Sequence, residues 1–298
     1  MFDINPITQL LHQFPTAFII STSLLGVLVG SFLNVVIYRV PEMMKRQWKR
    51  ECVDYLSSLQ ENSQLERQFP SNSTPFNLIT PHSQCPGCQS SIKPWMNIPV
   101  LSYVLLKGAC HQCKQTISLR YPAIELITAI VSGVVAWHFG PTWTCFITLI
   151  LCWSLISLTM IDFDHQLLPD SITLPLIWLG LLANYFNLYT SLENALLGAV
   201  FGYLSLWSIF WAFKIATGKD GMGQGDFKLL SALGAFLGVK MLLPIILLSS
   251  LSGTVVGVWM LLSKASEGSQ PIPFGPHLAM GGMLCLFFGD TVLKLIGW

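Results

Sequence analysis

Long apolar runs dominate this sequence and constrain its fold more than any other feature. Outside residues 39–120, most of the chain consists of apolar stretches of roughly 17–25 residues, the length that an α-helix needs to cross a bilayer. Only 10% of the residues are charged, against about 25% in an average soluble domain. We therefore predict an all-α polytopic membrane protein with about eight transmembrane helices. The predicted spans are 17–38, 122–140, 142–161, 171–189, 194–217, 227–239, 241–262 and 276–297. The run 227–239 is short enough to be re-entrant instead.

The basic residues predict how these helices are oriented. Ten of the sixteen Lys and Arg residues lie between Arg39 and Arg120, with only five acidic residues among them. Basic segments beside spans stay in the cytoplasm, so we expect a cytoplasmic 39–121 insert and a periplasmic N-terminus. Residues 1–16 contain no Lys or Arg, so the basic region of a cleavable signal is absent. The net charge of +1 gives no indication of nucleic-acid binding.

Three regions follow from this arrangement. They are an N-terminal transmembrane helix (1–38), the cytoplasmic insert (39–121) and a transmembrane core (122–298). Alternation of the spans places the connections 162–170 and 218–226 on the cytoplasmic side, together with the insert.

Four cysteines in the insert form two closely spaced pairs. Cys85 and Cys88 stand in CPGC, Cys110 and Cys113 stand in CHQC, and 21 residues separate the pairs. Two such pairs supply four thiolates for one tetrahedral Zn²⁺, as in a zinc ribbon. Because the cytoplasm disfavours disulfides, we predict a small zinc-ribbon-like module with a closed, structural site. Unliganded or redox-active thiols are the alternative.

Two aspartates stand at the ends of predicted helices on the cytoplasmic side. Asp162 ends one apolar run, and Asp226 begins another. Ionisable groups at such positions are costly and often mark function. Two carboxylates that meet from different helix ends can share a proton and activate water against a peptide carbonyl. Spacing alone does not decide between such a pair and a plain helix-breaking turn at GMGQG.

The other acidic residues near the membrane have simpler explanations. Asp170 and Ser171 stand at the start of an apolar run, where an N-cap role for one of them is expected. Glu125 lies one turn inside a span, near Arg120, where an ion pair is expected. Asp220 lies in a loop that water reaches, and a structural hydrogen bond accounts equally well for Asp290.

The helix ends predict different roles for the two aspartates. A helix C-terminus is partially negative and an N-terminus partially positive, so we expect Asp162 to be the protonated acid and Asp226 the ionised base. Gly223 and Gly225 precede Asp226 and would permit close approach of a substrate backbone.

Six stretches of the chain together resemble one enzyme family. They are GSFLNVVIYRVP (30–41), NIPVLSYVLLKGAC (97–110), RYPAIELIT (120–128), IDFDHQLLPDSITLPL (161–176), GMGQGDFKLL (221–230) and PIPFGPHLA (271–279). In this order they resemble the bifunctional type IV prepilin leader peptidases and N-methyltransferases.

The resemblance implies a GxGD-type aspartyl protease of the bacterial inner membrane. Such an enzyme cuts the basic leader from prepilins and type II secretion pseudopilins at the cytoplasmic face. It then methylates the new N-terminus with S-adenosylmethionine. The catalytic positions of the family motifs correspond to Asp162 and Asp226, the latter in a GxGD motif that begins at Gly223. Asp164 fits less well, because two helical positions rotate it to roughly the opposite face.

The methyltransferase activity rests on the resemblance alone, since the insert contains no G-x-G-x-x-G fingerprint. The residues that would bind S-adenosylmethionine therefore stay unassigned. Two other classes of function are compatible with buried carboxylates. A cation-coupled transporter would place them near the midplane, and a scaffold of a secretion or pilus machine would tolerate their loss.

Overall fold

The computed structural model describes residues 13–59, 76–85, 87–91, 99–263 and 273–297. These residues are mainly helical, and within them β-structure is limited to two isolated bridges, which pair Gln84 with Ser91 and Ala109 with Thr116. The helices are α1 (Pro15–Leu59), α2 (Leu101–Leu105), α3 (Arg120–Phe139), α4 (Trp143–His165), α5 (Asp170–Tyr185), α6 (Leu192–Thr217), α7 (Gln224–Leu237), α8 (Leu242–Leu262) and α9 (Gly275–Ile296). The predicted all-α class is confirmed.

Six of the described helices are long and apolar enough to cross a membrane. They are α1, α3, α4, α6, α8 with the 3-10 turn before it, and α9. The predicted spans at 171–189 and 227–239 form α5 and α7, which are only 16 and 14 residues long. The fold is that of a polytopic membrane protein, while the count of eight spans stays a prediction.

Helix α1 is much longer than the first predicted span. It continues through Pro41 to Leu59, whereas the apolar run ends at residue 38. Beyond the apolar run, Arg46 and Glu42 form an ion pair one turn apart, with 2.9 Å between nitrogen and oxygen. Pairs at this spacing stabilise a helix in water, so a helix can extend beyond the membrane.

The chain divides into two compact units. One consists of Ser23–Ile130, and the other of Met1–Thr22 with Val131–Trp298. The cysteine pairs belong to the first unit, and the two predicted catalytic aspartates belong to the second.

Helix α7 is the centre of the second unit. Its residues are buried from Asp226 to Phe236, with Lys228 half-buried. A short helix that is apolar nearly all round is stable only where other elements enclose it. Helices α5, α6 and α9 do so here. On α6, Gly202 lets the backbones meet, because a Cβ there would lie 2.8 Å from the Leu230 carbonyl oxygen.

One buried side chain holds the C-terminal end of α7. Asn184, in the last turn of α5, is fully buried. Its Nδ2 donates to the carbonyls of Ala235 and Phe236 at 2.8 and 2.9 Å. Its Oδ1 accepts from the amides of Tyr189 and Thr190 at 3.0 Å. The helix is thereby fixed to α5 at the end opposite its carboxylate.

Candidate functional site

The last turn of α4 places the first aspartate. Asp162 is three residues from the end of the helix, and its side chain is 6% exposed. The Gln166 amide donates to the Asp162 carbonyl at 2.8 Å, and Gln166 itself has a left-handed backbone, with φ 54°. This cap ends α4 and directs the chain into the short connection to α5.

The first turn of α7 places the second aspartate. Gly223 is the N-cap, and Asp226 is the third residue of the helix, also 6% exposed. Gly225 lies against the connection after α4, because a Cβ at this position would be 2.6 Å from Leu168 Cβ. Only glycine permits this approach of the two segments. The GxGD sequence thus brings the two loops together as well as starting a helix.

The two predicted aspartates stand at neighbouring helix ends, because Gly225 packs against Leu168. Both are buried, and the charge of Asp162 influences the Asp226 carboxyl. Asp162 Oδ2 accepts a hydrogen bond from the Gly275 amide at 3.0 Å. Asp226 Oδ1 is buried and has no hydrogen-bond partner among the described residues. An unsatisfied buried oxygen is unusual in a folded protein, and it leaves a position where a carboxyl could hold a proton. Asp164, in contrast, is exposed.

Two further features of this site were not predicted. The Gly275 amide comes from the start of α9, 113 residues away in sequence from Asp162. The N-cap prediction for Asp170 or Ser171 is wrong, since the N-cap of α5 is Pro169 and has no side-chain bond. Asp170 instead binds Lys228 on α7, whose Nζ lies 2.6 and 2.8 Å from its two oxygens. In the sequence, the only indication of this pair was a lysine, Lys228, within an apolar run two residues after Asp226.

The four predicted cysteine ligands meet. Their sulfur atoms all lie within 4.8 Å of one another. Cys85 Sγ is 3.7 Å from Cys113 Sγ, and Cys88 Sγ is 4.0 Å from Cys110 Sγ. A tetrahedral Zn²⁺ with Zn–S bonds of about 2.3 Å has sulfur–sulfur edges of about 3.8 Å. The cluster could therefore hold a metal ion with little movement.

The two cysteine pairs have the same backbone geometry. In each, the amide of the first cysteine donates to the carbonyl five residues later, and its carbonyl accepts from the amide four residues later. The residue four positions later also has a left-handed backbone. In the first turn, Cys85 N donates to Ser90 O at 3.0 Å, Gln89 N donates to Cys85 O at 2.8 Å, and φ at Gln89 is 56°. In the second, Cys110 N donates to Gln115 O at 2.8 Å, Lys114 N donates to Cys110 O at 3.1 Å, and φ at Lys114 is 59°. Two equivalent turns facing one centre are expected of a metal-binding ribbon.

The thiols influence one another's ionisation. Hydrogen bonds from the Ser90 side chain and amide lower the pKa of Cys88 to about 6. The amide of Gln115 lowers the pKa of Cys113, but burial and the neighbouring thiols raise it to about 11. Four thiolates so close together need a cation among them, and thiolate is the form of cysteine that binds metals.

Comparison with known proteins identifies relatives over almost the whole chain. Residues 24–139 match the Bacterial Peptidase A24 N-terminal domain, and residues 149–258 match the Type IV leader peptidase family. A protein of Pseudomonas aeruginosa called prepilin leader peptidase/N-methyltransferase is 53% identical over 289 residues, 97% of each chain. Proteins with the same name are 50% identical in Stutzerimonas stutzeri, over 95% of each chain, and 47% identical in Neisseria gonorrhoeae, over 93% of this chain and 92% of that one.

No solved structure matches the chain. The resemblance inferred from the six sequence stretches is confirmed by these relatives. At 53% identity over 97% of its length, this chain belongs to the type IV leader peptidase family.

Proposed function

We propose that this protein is an aspartic endopeptidase of the membrane that removes the leader peptides of type IV prepilins and type II secretion pseudopilins. Asp162 and Asp226 are its catalytic residues, and Gly223 and Gly225 form the active-site loop. One observation carries the proposal: two buried aspartates stand at neighbouring helix ends, and one oxygen of Asp226 has no hydrogen-bond partner among the described residues. The names of the relatives supply the substrate class.

The reaction follows from the pair. One carboxylate takes a proton from a water molecule, whose oxygen attacks the scissile carbonyl carbon. The other carboxyl gives its proton to the carbonyl oxygen. The tetrahedral intermediate then collapses, the C–N bond breaks, and the leaving amine takes up a proton. The products are a new carboxylate on the leader and a new amine on the mature pilin.

Hydrogen bonding assigns the two roles in the opposite way to the helix ends. Each carboxyl accepts one backbone amide, Asp162 from Gly275 and Asp226 from Gly223, and such a donor favours a carboxylate in its ionised form. The two carboxyls differ in their second oxygens. Asp226 Oδ1 lacks a donor among the described residues, so a proton is better accommodated there. In our proposal Asp162 is therefore the base and Asp226 carries the proton.

The second activity is methyl transfer. The relatives are named N-methyltransferases as well as peptidases, and we propose that this chain methylates the new N-terminal residue with S-adenosylmethionine. The residues that bind this cofactor stay unassigned. The metal at the cysteine cluster is proposed to be Zn²⁺, because four thiolates at tetrahedral spacing suit it. A closed site of this kind stabilises its surroundings and takes no part in the reaction.

The membrane topology is also a proposal. The protein would lie in the bacterial inner membrane with its N-terminus in the periplasm and with the insert and both aspartates on the cytoplasmic side. The basic residues of the insert support this orientation. We keep the division into a first helix (1–38), an insert (39–121) and a peptidase core (122–298). The transporter and scaffold alternatives have no support among the relatives.

A cleavage assay on purified protein tests the proposal. A prepilin is incubated with wild type, Asp162→Asn, Asp226→Asn or the matched control Asp164→Asn, and its mass is measured. We expect loss of the leader with wild type and with the exposed control. Each of the other two variants should lower the rate at least about 1,000-fold. One added methyl mass should appear when S-adenosylmethionine is present. Cleavage that survives both substitutions would refute the catalytic pair.

A further inference from the structure

Helix α2 presents an apolar face that no described part of the chain covers. This face consists of Leu101, Val104 and Leu105, which are 61%, 66% and 75% exposed. Residues at positions i, i+3 and i+4 share one side of a helix, so the three side chains form a continuous surface. Leu119, 72% exposed, directly precedes span α3. Proteins seldom leave such surfaces to water.

The opposite side of α2 is attached to the cysteine module. The Tyr103 hydroxyl donates to the Ile117 carbonyl at 3.2 Å, and the Gly108 amide donates to the Tyr103 carbonyl at 2.8 Å. Gly108 also packs directly against the tyrosine, because a Cβ there would lie 2.8 Å from the hydroxyl oxygen. These contacts fix the rotation of α2, so its apolar face points away from the module.

A buried carboxylate sets the depth of α2 relative to the spans. The Val100 amide, immediately before α2, donates to Glu125 Oε2 at 2.7 Å. Glu125 is 8% exposed and also bonds to Ser31 of α1. A Cβ on the neighbouring Gly30 would lie 2.7 Å from the Glu125 Cα. Glu125 is thus enclosed between two membrane-spanning helices.

The position of Glu125 within α3 indicates how far the start of α2 lies from the edge of the membrane's apolar layer. The helix begins at Arg120 and has 20 residues, which at 1.5 Å per residue span about 30 Å, the thickness of the hydrocarbon core. The predicted span begins at residue 122, so Glu125 lies three residues, about 4.5 Å, inside it. Its side chain tilts toward the N-terminus of α3, so the Val100 amide that binds it lies near the edge of the apolar layer.

The helix to which α2 is attached also has an exposed apolar surface. Leu126 and Ile127 on α3 are 54% and 50% exposed, and α3 is long and apolar enough to cross a membrane. The segment 99–106, PVLSYVLL, carries no charge, and Lys107 follows it. An uncharged segment followed by a lysine is typical of chain that enters the interfacial zone of a membrane and leaves it again.

We propose that α2 lies at the membrane interface and that Leu101, Val104 and Leu105 contact lipid acyl chains. The stretch between the two cysteine pairs is then a membrane-contacting element in its own right. This surface is independent of the proposed peptidase activity.

Fluorescence quenching in vesicles tests this proposal. A fluorescent amino acid is incorporated at Val104 of the full chain, at Leu126 as a lipid-facing control, or at Gln112, exposed between Cys110 and Cys113, as a water-facing control. Each variant is reconstituted in vesicles of phosphatidylethanolamine and phosphatidylglycerol. The quenchers are doxyl groups on added lipid acyl chains and iodide in the water.

We expect the probe at Val104 to behave like the probe in the span. Quenching by doxyl lipid should be within about twofold of that of the probe at Leu126. Because interfacial helices bury their apolar face by about 5–10 Å, quenching by iodide should be at least about fivefold weaker than that of the probe at Gln112. Strong iodide quenching without a doxyl effect would place the face in water and overturn the proposal. Protection from both quenchers would overturn it too, because protein and not lipid would then cover the face.

Discussion

At the scale of single residues, Gly275 positions the carboxylate of Asp162, one of the two proposed catalytic aspartates. Its amide binds Asp162 Oδ2, and a Cβ at this position would lie 2.6 Å from the same oxygen. Gly275→Ala must therefore move the carboxylate. Because a misplacement of about 1 Å can lower a rate about 100-fold, we expect kcat for leader cleavage to fall by about that factor, with KM changed less than about threefold.

Gly281→Ala is the matched control for this prediction. It lies in the same helix, and its new Cβ would be 2.7 Å from Ser249 Oγ, away from both aspartates. Thermal unfolding and cleavage kinetics would be measured for the two variants together. Equal losses of kcat in both would show that Gly275 matters only for packing.

The sequence predicted those site residues whose signal is local. Asp162 and Asp226 interrupt apolar runs, and the cysteines repeat a short spacing. The partners of Asp162 and Asp170 are 113 and 58 residues away. Such contacts depend on how helices pack, which no local pattern encodes. For the same reason the helix-end argument could not include the buried Oδ1 of Asp226, which lacks a donor among the described residues and on which our opposite proposal for the acid and the base rests.

At the scale of elements, the position of α7 depends on Asn184. Asn184→Ala would remove four hydrogen bonds from a fully buried position and leave the carbonyls of Ala235 and Phe236 without this donor. We expect the free energy of unfolding to fall by about 2–4 kcal/mol. Unfolding by a denaturing detergent, followed by circular dichroism, measures this loss.

Asn194→Ala provides the comparison for this prediction. Asn194 is half-buried, and its side chain binds Ser191 in the turn that starts α6. We expect a cost below about 1 kcal/mol. If the two variants lost similar stability, the bonds of Asn184 would not be what holds α7 in place.

The helices themselves were largely predictable, and the exceptions have physical causes. Every predicted span corresponds to a described helix, because apolar runs of this length have few other stable conformations in a membrane. Helix α1 exceeded its predicted span because ion pairs such as Glu42–Arg46 stabilise a helix in water. Hydropathy detects the membrane boundary and not the end of the helix. Helix α7 is short for a span because protein, more than lipid, surrounds it.

At the scale of the whole molecule, the metal site and the carboxylate pair belong to different compact units. A closed four-thiolate site has no open position for catalysis. The metal should therefore stabilise its own module without taking part in peptide cleavage. The cysteine spacing and the charge contrast predicted different regions for the cysteines and the aspartates. They did not predict the bounds of the two units, at residues 22 and 130, because these depend on which helices pack together.

The double variant Cys85→Ser, Cys110→Ser tests this separation. It removes two of the four ligands, so we expect loss of the bound metal and new protease cuts within residues 84–117. Leader cleavage should stay within about threefold of wild type, because the aspartates and their partners are unchanged. Metal content by mass spectrometry, limited proteolysis and the cleavage assay measure the three effects. Cys52→Ser, at an exposed cysteine outside the cluster, should retain the metal and the wild-type digestion pattern. If the double variant lost cleavage in proportion to its metal while remaining folded by circular dichroism, the metal module would be part of the peptidase, and the two units would act as one.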